Sequence, residues 1–516
     1  MTMTSNPTDV VRGSTSRRTR RWIADWRPED PEFWEATGRA VARRNLGWSI
    51  FAEHLGFSVW LIWSVSSAFL LAQGFEFTPQ QLFFLVAIPN LVGSLLRIPY
   101  TFAVPAFGGR NWTMVSAALL LIPTLGFAYA VTRPDTPYWM FCVIAATAGF
   151  GGGNFASSMA NINFFYPTAK KGMALGLNAA GGNLGVALIQ FLLPVVVGGA
   201  GIFGVVQAGS GGIHLERAAW VYAGLAMVAT LAAYLFMDNL DGIESHPREQ
   251  LSVIRHRQVQ VMSLLYIGTF GSFIGFSAAM PLLIKLNFWR QPIPQVGGIG
   301  VNFAYYAFLG ALVGSAARPL GGWLADRFGG TRITLLAFGG MIAGTLGVLV
   351  TLGRLTQLPP PPTAERLAEI KADPAAFRFP PAVVDAVDAN ADLFWVFLAM
   401  FMVIFGFSGI GNGSTYKMIP AIFRRDAVAE TAEGSPEREL AVLEAGKRSS
   451  AAVGIVGAIG AIGGFLIPIT FNSPWVTDPL AATKSAMVIF TTFYVVCLAV
   501  TWFVFARRSG SRYTGV

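Results

Sequence analysis

Two arginines, Arg97 and Arg318, lie inside stretches apolar enough to cross a bilayer. A guanidinium there costs at least about 2.5 kcal/mol on insertion scales, so it marks function unless it snorkels from a helix end. The two are related to one another. Arg97 opens RIPYTFAVPAFGG and Arg318 opens RPLGGWLADRFGG, with Phe-Gly-Gly starting ten residues after the arginine in both. Repeat-related positions meet at the centre of a pseudo-symmetric bundle, which favours function over snorkelling. A guanidinium is a rigid fork of donors that pairs with planar oxyanions through two parallel hydrogen bonds.

The carboxylates sharpen this reading. Apart from Glu53, placed near one end of the first apolar stretch beside His54, no Asp or Glu lies well inside any stretch. An anionic ligand is then the natural counter-charge for the arginines. The faces of a small, planar, weakly hydrated anion suit aromatic rings, and Phe155 and Phe270 are candidates for such a sandwich, with Tyr266 and Asn178 as neutral donors. With 41 phenylalanines in the chain, packing or lipid contact explains any one of them equally simply. Glu53 and His54 are the titratable candidates for proton coupling, although an interfacial role is the simpler reading. Lys417 is either a third charge on the anion path or a residue snorkelling to the interface.

The elements that must hold these groups are membrane helices. Of 516 residues 53% are hydrophobic and 13% charged, against roughly 25% charged in soluble domains. Apolar stretches cover 47–72, 79–103, 112–131, 138–165, 172–199, 216–237, 259–284, 299–320, 332–353, 392–420, 448–471 and 482–506. This excludes a soluble multidomain protein. Twelve spans put both termini on one side, and that side holds the majority of the 37 Lys and Arg residues, which makes it cytoplasmic. The net charge of +9 is therefore chiefly an orientation signal, and nucleic acid is not an expected partner.

The organisation expected is a basic tail and amphipathic helix over 1–45, a first six-helix half over 46–237, a cytoplasmic linker over 238–258, a second half over 259–506 and a tail over 507–516. Residues 1–21 read as disordered, with no cleaved signal sequence, and Pro28 to Arg44 as a surface helix. The insertions 355–391 and 423–447 read as loops. Cys142 and Cys497 suggest neither a disulfide nor a zinc site, and no nucleophile or nucleotide motif is present.

The halves repeat elsewhere too. GFGGGNFASSM (149–159), with Gly152, Gly153 and Asn154, parallels GFSGIGNGSTYKM (406–418), with Gly409, Gly411 and Asn412. The run starting at Gly176 (GLNAAGGNLG) parallels GIVGAIGAIGG (454–464). Such glycines let helix backbones approach and slide.

GGWLADRFGG (321–330) matches the loop signature G-x-x-x-D-R-x-G-G of the major facilitator superfamily. GGGNFASSMANINFFYP (151–167) and GFSGIGNGSTYKMIPAIF (406–423) resemble the two signatures of its NarK-type nitrate/nitrite porter family, and LLYIGTFGSFIGFSAAMP (264–281) is similar to that family's seventh helix. The resemblance implies an all-α membrane protein of twelve transmembrane helices in two pseudo-symmetric six-helix halves. It implies that Arg97 and Arg318 clamp nitrate or nitrite, that Tyr266 and Asn178 hydrogen-bond it, and that Phe155 and Phe270 stack on it. The signature glycines and asparagines would permit rocking, and Asp326 and Arg327 would be cytoplasmic gate contacts. A monomer in the bacterial inner membrane, with no cofactor or metal, is expected. Porters of this family run either as nitrate/nitrite exchangers or as proton symporters; the apparent lack of a central carboxylate favours exchange.

Overall fold

The computed structural model describes residues 21–70, 73–198, 213–243, 251–290, 299–358, 369–370, 372–373, 378–472, 478–507 and 516. The expected disorder before Arg21 and the Pro359–Pro362 run lie outside these residues.

Among them, twelve long helices follow in chain order. The first half comprises α1 (Arg39–Trp60, resuming as Ile62–Leu70), α2 (Pro79–Phe107), α3 (Gly109–Val131), α4 (Tyr138–Phe165), α5 (Thr168–Gly198) and α6 (Leu215–Phe236). The second comprises α7 (Arg257–Phe288), α8 (Ala307–Phe328), α9 (Gly330–Arg354), α10 (Pro381–Ala429), α11 (Pro436–Phe471) and α12 (Pro479–Ala506). Ten are long and apolar enough to cross a membrane; α1, with Glu53, and α8, with Arg318, fall short of that apolarity. A spanning helix keeps its backbone polar groups bonded internally, which is why a chain this apolar takes this form.

Local chemistry sets the ends. Asp30 caps the short helix Pro31–Phe33 that leads into α1 through a wide π turn, Trp34–Gly38. Thr78 and Gln81 form a reciprocal capping box at the start of α2. The repeat is visible in the backbone: α2 ends on Gly108 (φ 87°, ψ 145°) and α8 on Gly329 (φ 91°, ψ 136°), a conformation that favours glycine. The matching Phe-Gly-Gly runs thus make the same turn twice.

Three boundaries differ from the sequence reading. The insertion 355–391 is not loop throughout, since α10 already starts at Pro381. The segment 423–447 is not a loop: α10 continues to Ala429 and α11 starts at Pro436, capped by Ser435. Its alanine, glutamate and arginine content ends the membrane-buried part without ending the helix, because these are good helix formers. Similarly, α8 starts at Ala307 and runs through Asp326 and Arg327, so the superfamily signature occupies the last helical turns and becomes a loop only at Gly329.

The two halves meet firmly at the end remote from the chain termini. Ser64 of α1 donates to the carbonyls of Ser277 (3.2 Å) and Ala278 (2.9 Å) on α7. Gln190 of α5 donates to Ser277 O at 2.6 Å and to Ser64 at 2.9 Å, and Lys285 of α7 donates to Ala68 O. Ring pairs Phe69–Phe303, Phe191–Phe308 and Phe83–Phe471 close the same end. On the termini side the halves part around a cavity of 2240 Å³, reaching from Arg97 and Arg318 to Arg448 and Glu430.

Candidate anion site

The floor of this cavity carries both arginines. Arg97, on α2 beside Pro99, is 1% exposed; its Nε donates to Gly152 O of α4 at 3.2 Å and its Nη1 to Gly457 O of α11 at 2.9 Å. One guanidinium thus touches both halves. Arg318, on α8 before Pro319, is 8% exposed. Among the described residues, Arg97 Nη2 and Arg318 Nη1 are buried donors with no protein acceptor. Donors buried without partners are costly unless a ligand completes them.

Aromatic rings surround the pair. The Arg97 guanidinium lies 4.7 Å from the Phe155 centroid, 5.0 Å from Phe270 and 5.5 Å from Trp60. That of Arg318 lies 5.9 Å from Phe155 and 5.4 Å from Tyr416. Phe155 and Phe270, from opposite halves, are near parallel at 6.5 Å and 25°. Phe270, within a π turn over Ile267–Gly271, lies four residues after Tyr266 on the same helix face, the rings stacking at 5.4 Å and 17°. Such turns interrupt a helix where a side chain must be re-aimed. The structure therefore gathers Arg97, Arg318, Phe155, Phe270 and Tyr266 in one place.

Asn178 and Glu53 require a correction. Glu53 is not interfacial: it lies well within α1, 0% exposed, accepting from Asn178 Nδ2 at 2.6 Å and from Ser158 Oγ. It is close enough to Arg97 and Arg318 to share their electrostatic field, though it pairs with neither within 4.0 Å among the described residues. The inference that the arginines lack a nearby acid is overturned. The sequence misled because the apolar stretch begins at 47, whereas the helix already starts at Arg39, which sets Glu53 well inside it. Asn178 also donates to Ser158 at 3.0 Å, so its amide N–H groups are engaged by protein. His54, next in sequence, bonds Gly181 O at 3.1 Å on the α1–α5 seam.

The signature glycines mark close helix crossings. A Cβ on Gly152 would meet Trp60 at 2.6 Å and Gly93 Cα at 2.9 Å, and one on Gly153 would meet Tyr100 at 3.0 Å. The repeat counterpart Gly409 packs on Gly314 and Ala317, while Gly411 faces Thr269 and Ala337. Gly176 differs, lining the cavity with open space around it. Asn154 is fully engaged, accepting from Ser116 at 2.8 Å and donating to Ala52 O at 3.2 Å, whereas Asn412 Oδ1 is buried without a donor among the described residues.

At the cavity mouth Lys417 pairs with Asp326, at 2.7 and 3.0 Å, joining α10 to the end of α8. Arg327 turns away to Trp323 and Phe328, at 5.7 and 5.5 Å. Three contributors escaped the sequence reading. Tyr416 sits in the second signature beside Lys417 and was legible there; Lys285 fell just past the assigned end of the seventh stretch; Gln190 carried no signal.

A helical bundle of two repeated halves, with buried cationic donors between them and a large cavity on one side, defines a polytopic membrane carrier for an anion. The profile of the Major Facilitator Superfamily matches residues 54–358. The nitrate/nitrite transporter NarU of Escherichia coli (strain K12) is 39% identical over 96% of this chain and 98% of its own length. The probable nitrate/nitrite antiporter NarK2 of Thermus thermophilus is 33% identical over 95% and 98%. Among solved structures, a D-xylose-proton symporter shares the fold, with a TM-score of 0.58 at 13% identity over 89% of this chain and 96% of that one. The chain belongs to the NarK-type nitrate/nitrite porter family of the major facilitator superfamily. It is a transporter and not an enzyme.

Proposed function

We propose that this protein carries nitrate and nitrite across the cytoplasmic membrane by alternating access, exchanging one for the other. The observation that carries the reading is the pair of buried guanidinium donors without protein acceptors, set beside two near-parallel rings from opposite halves. Arg97 and Arg318 clamp the anion, Phe155 and Phe270 cover its faces, and Tyr266 adds a neutral donor; Asn178 joins it only where its amide leaves Glu53 and Ser158. A planar monoanion fits this slot; tetrahedral, strongly hydrated sulfate or phosphate does not. The bound anion offsets two buried cations, so the loaded carrier reorients more readily than the empty one, which is the physical basis of exchange. Likeness to relatives named as nitrate/nitrite transporters supports the same substrates.

With both termini cytoplasmic, as the distribution of Lys and Arg supports, the cavity faces the cytoplasm. Rocking pivots on the crossings at Gly152, Gly153, Gly409 and Gly411, and the Lys417–Asp326 pair and Arg327 adjust the cytoplasmic mouth. One chain supplies every group in the slot, so a monomer suffices. Uptake of labelled nitrate by proteoliposomes of the purified protein tests this: internal nitrite should accelerate uptake over an inert internal anion. No nitrate uptake under either loading would refute the reading.

A further inference from the structure

Resting on that reading, a carrier of anions must collect them at both faces of the membrane, and the two faces are furnished differently. On the termini side the cavity lining holds Lys171, Lys417, Lys447 and Arg448 beyond the two slot arginines. On the remote side α10 begins with Asp385, Asp388 and Asp392, all exposed and spaced along one helix face. A rim of that sign repels nitrate and nitrite, so capture from this side calls for a cation nearer the path.

Lys285 of α7 is so placed. It follows Phe270 on the same helix by about 22 Å, past the contact of Ser64 with Ser277 O. It is 7% exposed, its Nζ donates to Ala68 O of α1, and it lies 6.0 Å from the Trp289 ring. Among the described residues no carboxylate pairs with it.

The bond to Ala68 O does not account for the charge. A carbonyl needs only a neutral donor, and in the same seal Gln190 and Ser64 serve Ser277 O and Ala278 O with an amide and a hydroxyl. An ammonium costs far more to bury than either. Ala68 and Lys285 belong to opposite halves, so parting of the halves at this end breaks their bond. The amine then meets water, where it is an ammonium on a flexible stem with its donors released.

We propose that Lys285 is an entry station for small inorganic monoanions arriving from the side remote from the termini. With that side open, its ammonium pairs with nitrate or nitrite, offsets the acidic rim, and passes the anion on toward Arg97 and Arg318. With that side sealed, Ala68 O occupies the ammonium and the station is closed.

Lys285→Gln separates the charge from the seal, since an amide still donates to Ala68 O. Labelled nitrate taken up from the remote side into nitrite-loaded vesicles of known orientation gives KM at low and high ionic strength, set with sodium gluconate. Wild-type KM should rise with salt. At low ionic strength the KM of Lys285→Gln should lie about three- to tenfold above wild type and should no longer rise with salt, while KM from the termini side stays within about twofold. Lys285→Arg should keep the wild-type pattern. A Lys285→Gln KM equal to wild type overturns the proposal, as does one raised by the same factor at every ionic strength, which marks a latch alone. If Lys285→Gln does not fold, wild type decides: an impermeant amine-reactive ester added at the remote side should label Lys285, and external nitrate should slow that labelling but not that of Lys484. Lys285 left unlabelled, or labelled at a rate that nitrate does not change, overturns the proposal. Absence of any nitrate uptake by wild type would instead contradict the substrate reading above.

Discussion

Phe155 of α4 and Phe270 of α7 face each other across the boundary between the halves, 6.5 Å apart and 25° from parallel. Two van der Waals contacts of about 3.5 Å to the faces of one flat molecule need nearly that separation. Because each half contributes one ring, the slot exists only while the halves are in this relation. Opening to the other side must therefore pass through its rearrangement, which would tie binding in the proposed slot to reorientation.

Removing either arginine should abolish most transport. Arg318→Ala and Arg97→Ala each delete a buried charge-assisted donor, worth about 2–4 kcal/mol, or roughly 30- to 1000-fold in nitrate affinity. Arg318→Lys keeps the charge without the planar fork and should still lose at least about tenfold. Competition by nitrate for labelled nitrate uptake measures both; a lysine variant with wild-type affinity would show that charge alone suffices.

Phe270→Ala opens one wall of the slot. The expected loss in affinity is about 1 kcal/mol, roughly fivefold, while stability should fall by more, about 3–5 kcal/mol, because the ring is fully buried. Nitrate binding to the purified variant, beside its thermal melt, separates the two effects.

The crossings and the cavity wall predict opposite glycine phenotypes. Gly152→Ala drives a methyl into Trp60 and the Gly93 backbone and should cost about 1–3 kcal/mol of stability. Gly176→Ala meets nothing within 4 Å and should match or exceed wild type, by up to about 1 kcal/mol from helix propensity. Thermal unfolding in detergent reads the difference, and equal melting temperatures for the two variants would contradict the packing described.

Weakening the sealed end should favour the opposite opening. Gln190→Ala removes the side chain that joins Ser64 to Ser277 O, and each lost hydrogen bond shifts the balance by about 1 kcal/mol, or roughly fivefold. A cysteine at Ala278, whose carbonyl rather than side chain serves the seal, should then react faster with an impermeant thiol reagent added at the side remote from the termini. An unchanged rate would remove Gln190 from the gate.

Much of this was legible in the chain because membrane helices leave strong signals. Apolar length gave the twelve spans, and the paired Arg-to-Phe-Gly-Gly spacing anticipated both the repeat and the meeting of Arg97 with Arg318. The errors have physical causes. Glu53 looked peripheral because the polar first turns of α1, from Arg39, fall outside the apolar stretch that starts at 47. The segment 423–447 looked like a loop because charge was read as irregularity, whereas it marks only departure from lipid. The bond from Arg97 to Gly457 O joins residues 360 apart in sequence and depends on the docking of the halves.

In the proposed mechanism Arg97 and Arg318 together hold a planar anion between the two rings. A structure of the purified protein with nitrate bound tests it most directly. One anion should lie about 3 Å from both guanidinium groups, with its faces toward Phe155 and Phe270. Nitrate resolved elsewhere, such as beside Lys417, with the two arginines unliganded, would contradict it.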